Sequence, residues 1–210
     1  MNEQRPKMNE QRPGTERFKL LIVGVGGQGV LTSARLLGEA ALIAGMQVVV
    51  SQMHGMSRRG GSVQASVLIG PGRSPFMTNH TADIVLGLEP LEALRARSWM
   101  SARTQVTVNV GRIVPATLAQ QGVGYPDLST LLSEIRSVAP ETVVVDGSAL
   151  LESLGFPRGL NILMLGALAG LDVLPLTGEA VWHGIERRCP PRQIEPNRRA
   201  FALGKETVGT

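Results

Sequence analysis

Cysteine is almost absent from these 210 residues, and Cys189 stands alone. A single thiol excludes an internal disulfide and cannot hold an iron–sulfur cluster, which takes about four thiolates. His54, His80 and His183 are scattered, and no zinc-ligand spacing joins them to Cys189. Aromatic residues make up 3% of the chain: Trp99, Trp182, Tyr125 and four Phe. They are too few to build the stacking platforms of single-stranded nucleic-acid binding. The net charge of +4 therefore reads as an arginine-rich surface or an anion-facing groove, with no nucleic acid expected as partner. No apolar segment precedes Pro13, so no secretory signal is predicted. The longest apolar run, Leu160 to Leu174, is broken by Asn161 and Asp172 and is too short to span a bilayer. A cytoplasmic chain without a membrane partner is expected.

What is present is apolar and rich in glycine: 43% hydrophobic, 18% charged, 25 glycines. That composition suits one globular domain with a core of Leu, Val, Ile, Ala and Met. MNEQRPK is followed directly by MNEQRPG, a polar duplication with no apolar seam. Residues 1–17 are predicted to be a disordered arm and residues 18–205 the domain. Short β-rich runs at Lys19–Val23, Val48–Ser51, Ser62–Ile69, Ala82–Leu88, Gln105–Asn109 and Thr142–Val145 alternate with helical spacing. Helices are expected up to Ala44, over Leu91–Met100 and over Leu128–Ser137. The last third is helical throughout: Ala149–Leu154, Leu160–Gly170, Gly178–Arg187 and Ile194–Leu203. Strands alternating with helices predict a three-layer, Rossmann-like α/β domain with a mostly parallel sheet and a helical C-terminal third. Ser62–Ile69 is the candidate antiparallel strand.

Between the first strand and the first helix lies Gly24-Val25-Gly26-Gly27-Gln28-Gly29. Three readings fit this GxGxxG: a dinucleotide site, a tight βα turn with no ligand, or an anion or partner's cofactor at the helix start. The dinucleotide fingerprint also wants a carboxylate about 20 residues on, to hold a ribose hydroxyl. Val50, Ser51 and Gln52 stand there instead. Gly24, Gly26, Gly27, Gln28 and Gly29 remain candidates to face a ligand.

A second segment is more specific: Ser51-Gln52-Met53-His54-Gly55-Met56-Ser57-Arg58-Arg59-Gly60-Gly61-Ser62. Arg59 offers a planar fork suited to carboxylate or phosphate, or an ion pair that pins the loop. Gly60 and Gly61 let another group approach the backbone. His54 is either a hydrogen-bonded structural residue or a proton donor near neutrality, the candidate catalytic group. Glu89, before Pro90, reads as a turn-capping or interface carboxylate more readily than as a general base. Asp146 follows a strand at the edge where open α/β sheets place ligands.

With GVGGQG, this HGM–RGGS loop closely resembles the gamma-type subunits of 2-oxoacid:acceptor oxidoreductases. Ala82–Arg95 (ADIVLGLEPLEALR), Asn161–Gly166 (NILMLG) and the closing Asn197-x-x-x-Phe201-x-x-Gly204 resemble the indolepyruvate ferredoxin oxidoreductase branch. The resemblance runs from about Phe18 to Gly204. It implies a small subunit, active only with a large partner, in a heteromer that contains a homodimer within a heterotetramer. The complex would decarboxylate a 2-oxoacid oxidatively, form an acyl-CoA from the co-substrate CoA and pass electrons to ferredoxin. Thiamine diphosphate, Mg2+ and iron–sulfur clusters would sit in the large partner, with no cofactor bound by this chain alone. The nearest thiamine-like sequence, Asp146-Gly147-Ser148, lacks the preceding glycine of a GDG motif. A stand-alone NAD(P)-binding oxidoreductase and a non-catalytic scaffold subunit are the alternatives.

Overall fold

A computed structural model describes residues 17–54, 61–72, 74, 76–113 and 124–209. Residues 1–16 of the predicted arm, Arg59, Gly60 and the side chain of His54 lie outside the described residues.

Six strands form one sheet in the order β2-β3-β1-β4-β5-β6. They are β1 (Phe18–Val25), β2 (Val48–His54), β3 (Ser62–Ile69), β4 (Ile84–Gly87), β5 (Gln105–Asn109) and β6 (Thr142–Val145). β1, β4, β5 and β6 run parallel, and β3 lies antiparallel between β1 and β2. The expected sheet is therefore present, with Ser62–Ile69 as its antiparallel member. Strand β4 is fully buried and carries no polar side chain, the pattern of a central parallel strand covered on both faces.

Alternation along β1 divides the core. Leu20 and Ile22 face the larger hydrophobic cluster, Leu21 and Val23 the smaller. The larger cluster is closed by α1 (Val30–Ile43), α5 (Leu160–Gly170), α6 (Gly178–Arg188) and α7 (Pro191–Val208). The smaller is closed by α2 (Pro90–Arg95) and α3 (Leu128–Val138). A short α4 (Gly147–Ser153) follows β6. One helix was expected over Leu91–Met100. The chain instead runs as α2 and then a 3₁₀ turn over Ala96–Trp99.

Helix α5 explains the apolar tail. Every residue from Asn161 to Ala169 is buried, so the helix is enclosed on all sides and needs no polar face. Its glycines let α7 approach at backbone distance. A Cβ on Gly166 would lie 2.1 Å from the Phe201 carbonyl, and one on Gly204 would lie 1.9 Å from the Leu163 carbonyl. Helix α6 packs on α1 at Gly184, where a Cβ would meet the Leu36 carbonyl at 2.8 Å. Arg187 and Arg188 add ion pairs to buried Glu39 at 3.2 and 2.9 Å. α7 contains Pro196, which removes one helical donor.

Candidate functional site

The carboxyl ends of β1, β4, β5 and β6 meet at one edge of the sheet, where open α/β folds bind ligands. The glycine turn leaves β1 there. Its Gln28 is committed to the fold: the Val25 N–H donates to Oε1 at 2.7 Å, and Nε2 donates to the Leu88 carbonyl at 2.8 Å. Gln28 thus ties the end of β1 to the end of β4. Asn109 continues the line. Its Nδ2 donates to the same Leu88 carbonyl at 3.1 Å, while its Oδ1 accepts from the Gly147 N–H at 3.0 Å. Two side-chain amides therefore hold four strand ends in register, and both converge on one buried carbonyl.

The glycines have separate reasons. A Cβ on Gly24 would press on Gln28 Oε1 at 2.9 Å and Leu88 Cβ at 3.1 Å, so that position is fixed by packing. Gly29, the N-cap of α1, has φ +88°, and a Cβ there would stand 2.9 Å from the Asn161 side chain. Gly27 also lies in the left-handed region, at φ +106°, and is exposed.

The Gly26 N–H donates to the Gly61 carbonyl at 2.9 Å. This contact brings Gly61, the last glycine of the RGG segment, to the glycine turn from 35 residues further along the chain. The backbone of His54 pairs with Val63 at the end of β2, two strands from β1. Asp146 is not brought to the turn. It follows β6, with β4 and β5 between it and β1, roughly 14 Å at the usual strand spacing. Its exposed Oδ1 caps α4 by accepting from the Ala149 N–H at 3.1 Å.

Glu89 behaves as a turn-capping carboxylate. It is fully buried, caps α2 by accepting from the Glu92 N–H at 3.0 Å, and accepts the Tyr125 hydroxyl and the Ile113 amide. Burial is the largest influence on Glu89 and raises its pKa above 4.5, against the three donors that lower it. The Tyr125 phenol is raised too, first by burial and then by its bond to Glu89. Three residues of this edge escaped the sequence reading as site groups. Asn109 had its signal in a polar residue closing an apolar strand. Asn161 was visible only as the break in an apolar helix. Tyr125 carried no local signal.

The dinucleotide reading is not favoured by this topology. β3 occupies the flank of β1 where the fingerprint expects the second parallel strand and its ribose-binding carboxylate. Ser51 and Gln52 lie one strand further out.

The fold and edge define an α/β domain whose parallel strands end at one edge, with an antiparallel strand beside β1. The chain belongs to the pyruvate ferredoxin/flavodoxin oxidoreductase family, whose profile matches residues 19–207. It is 35% identical over 188 residues to the indolepyruvate oxidoreductase subunit IorB of Archaeoglobus fulgidus, covering 90% of this chain and 94% of that one. It is 27% identical over 185 residues to the 2-oxoglutarate synthase subunit KorC of the same organism, covering 88% and 84%. The fold matches the gamma subunit of a keto/oxoacid ferredoxin oxidoreductase from Geobacter sulfurreducens with a TM-score of 0.66 and 23% identity, over 91% of this chain and 98% of that one.

Proposed function

We propose that this chain is the small subunit of a cytoplasmic, thiamine-diphosphate-dependent oxidoreductase that converts indolepyruvate or a related aryl pyruvate to its acyl-CoA and passes the electrons to ferredoxin. The observation that carries the substrate is the higher identity to the indolepyruvate subunit than to the 2-oxoglutarate one, 35% against 27%, each over most of the chain.

The donor set supports a reading in which the cofactors lie elsewhere. One cysteine does not fit an iron–sulfur cluster. Among the described residues no group of three or more His, Cys, Asp or Glu converges to hold the Mg2+ of thiamine diphosphate. A large partner subunit would supply these groups, and with them the carbanion and electron chemistry. This chain's own part is to bind and orient. The glycine turn and Gly61 lie together at one edge, and that edge would face the partner. Arg59 would pair with a CoA phosphate or an oxoacid carboxylate, with His54 as the candidate proton donor and Gly60 leaving room for approach. Two copies of each subunit would form the assembly.

Co-expression with the large subunit tests this reading. The complex is expected to reduce methyl viologen in the presence of indolepyruvate and CoA, while this chain alone is colourless and inert. Turnover by the isolated chain would refute the subunit role. A complex that prefers 2-oxoglutarate or pyruvate would refute the substrate.

A further inference from the structure

Strand β2 forms one edge of the sheet, beyond β3. The Gly70 N–H donates to the Gln47 carbonyl at 2.8 Å, in register with the β2–β3 ladder. In an antiparallel pair, alternate residues turn their backbone groups to opposite sides. Val49, Ser51 and Met53 therefore bond toward β3. Val48, Val50 and Gln52 present N–H and C=O outward, where no described strand pairs with them. Val48–His54 contains no Lys, Arg, Asp or Glu, no proline and no glycine, so it lacks the devices that keep a free edge from pairing. The opposite edge differs: β6 has four residues and follows Pro140 and Glu141.

Both faces beside this edge carry exposed apolar side chains. Phe76 is 81% exposed and Leu42 61%, the two most exposed large hydrophobics among the described residues. Phe76 borders a cavity of about 300 Å³ that is lined by Ser51 of β2, Gln64 and Ser66 of β3 and Leu21 of β1. Leu42 lies on the other face, in α1. It stands one helical turn beyond Gly38, where a Cβ would meet Val50 Cγ2 at 3.0 Å. An unpaired strand and apolar side chains above and below it thus coincide at one edge.

We infer that β2 is where two copies of this chain join, paired antiparallel about a twofold axis at Ser51 so that their sheets run on as one. This rests on the reading that two copies enter the assembly, and it supplies their contact. Ser51 is the midpoint of the strand. About that point, Val50 of one copy stands opposite Gln52 of the other. Both residues face outward, so each such pair exchanges two hydrogen bonds. Ser51 meets its own copy as a non-bonded pair, with Cα atoms about 4.5 Å apart. That is the closest approach in the ladder, and a small side chain suits it. Identical edges meet without repulsion because neither carries a charged side chain. The axis stands perpendicular to the sheet, so like faces adjoin: Leu42 turns to α1 of the second copy, and Phe76 to the second copy's cavity. A stable interface buries at least about 1,200 Å². The two Phe76 rings, roughly 150–250 Å² each, and the two Leu42 side chains add apolar area to the paired strands on both faces.

Sedimentation and disulfide trapping on the full chain test the pairing. The wild type is expected to sediment as a dimer of the 22.4 kDa chain. With Cys189→Ser removing the native thiol, Ser51→Cys should link two chains in oxidised glutathione, since Cα atoms about 4.5 Å apart lie within disulfide range. Val49→Cys should not, because its copy lies roughly 14 Å away at about 3.4 Å per residue. Gln52→Pro deletes an outward donor in both copies and should raise the dimer dissociation constant at least about tenfold. Phe76→Asp, at an exposed position, should raise it severalfold with an unchanged circular dichroism spectrum, which keeps the test decisive if the proline variant folds poorly. The inference is overturned if the wild type is a monomer at about 0.1 mM, if Val49→Cys links as readily as Ser51→Cys, or if Gln52→Pro and Phe76→Asp dimerise as the wild type does. A monomer whose amides over residues 48–54 gain protection from exchange only when the large subunit is added assigns the edge to that subunit and also overturns it. A co-expressed complex with one copy of this chain refutes the two-copy reading itself, whereas two copies that Ser51→Cys does not link refute this pairing alone.

Discussion

Stripping Gln28 and Asn109 to alanine, singly and together, probes the carbonyl on which the four strand ends converge. Each residue donates to the Leu88 carbonyl, and Leu88 is 0% exposed. Gln28→Ala orphans the Val25 N–H, and Asn109→Ala orphans the buried Gly147 N–H. An unsatisfied donor costs about 1–3 kcal/mol, so each single variant should lose about that much stability. In either single variant the Leu88 carbonyl still accepts one hydrogen bond. Only the double variant leaves it bare, which adds a penalty that neither single change shows. The double-mutant cycle should therefore report an excess loss of about 0.5–3 kcal/mol beyond the sum of the singles. Urea unfolding of the purified chain measures all four corners. Additivity within about 0.5 kcal/mol would mean that the two amides act separately and that the shared carbonyl is not the joint.

Gly204→Ala forces a methyl into the Leu163 carbonyl and should cost at least about 2 kcal/mol by separating α5 from α7. An unchanged urea midpoint would contradict that packing. Gly29→Val combines φ +88° with contact on Asn161 and should lower the melting temperature by several degrees, read by circular dichroism. The Glu89 pKa, raised in the fold by burial, makes the native state hold its proton more tightly than the unfolded chain does. Its contribution to stability is thus complete below the ordinary carboxylate value of 4.5 and is lost as pH rises through the folded pKa. Glu89→Gln should flatten that part of the stability profile in unfolding measured from about pH 4 to pH 8, and an unaltered slope would assign it to another group.

The local pattern of the sequence determined the alternation of strands and helices and the glycine turn after β1. Each of these depends on neighbours within one turn or one strand, where apolar periodicity and turn chemistry act directly. Glu89 was legible as a cap for the same reason, since its acceptor role is completed three residues later at Glu92. The break in the apolar run at Asn161 was visible, but its meaning was not. Only the folding of α5 beneath the glycine turn sets it against Gly29, 132 residues earlier in the chain. The same holds for Tyr125 on Glu89 and for Asn109 between Leu88 and Gly147. Such contacts join segments with no local dependence on one another. Tertiary packing alone decides them, by withdrawing polar atoms from water and leaving each to pair with whatever distant group the fold presents.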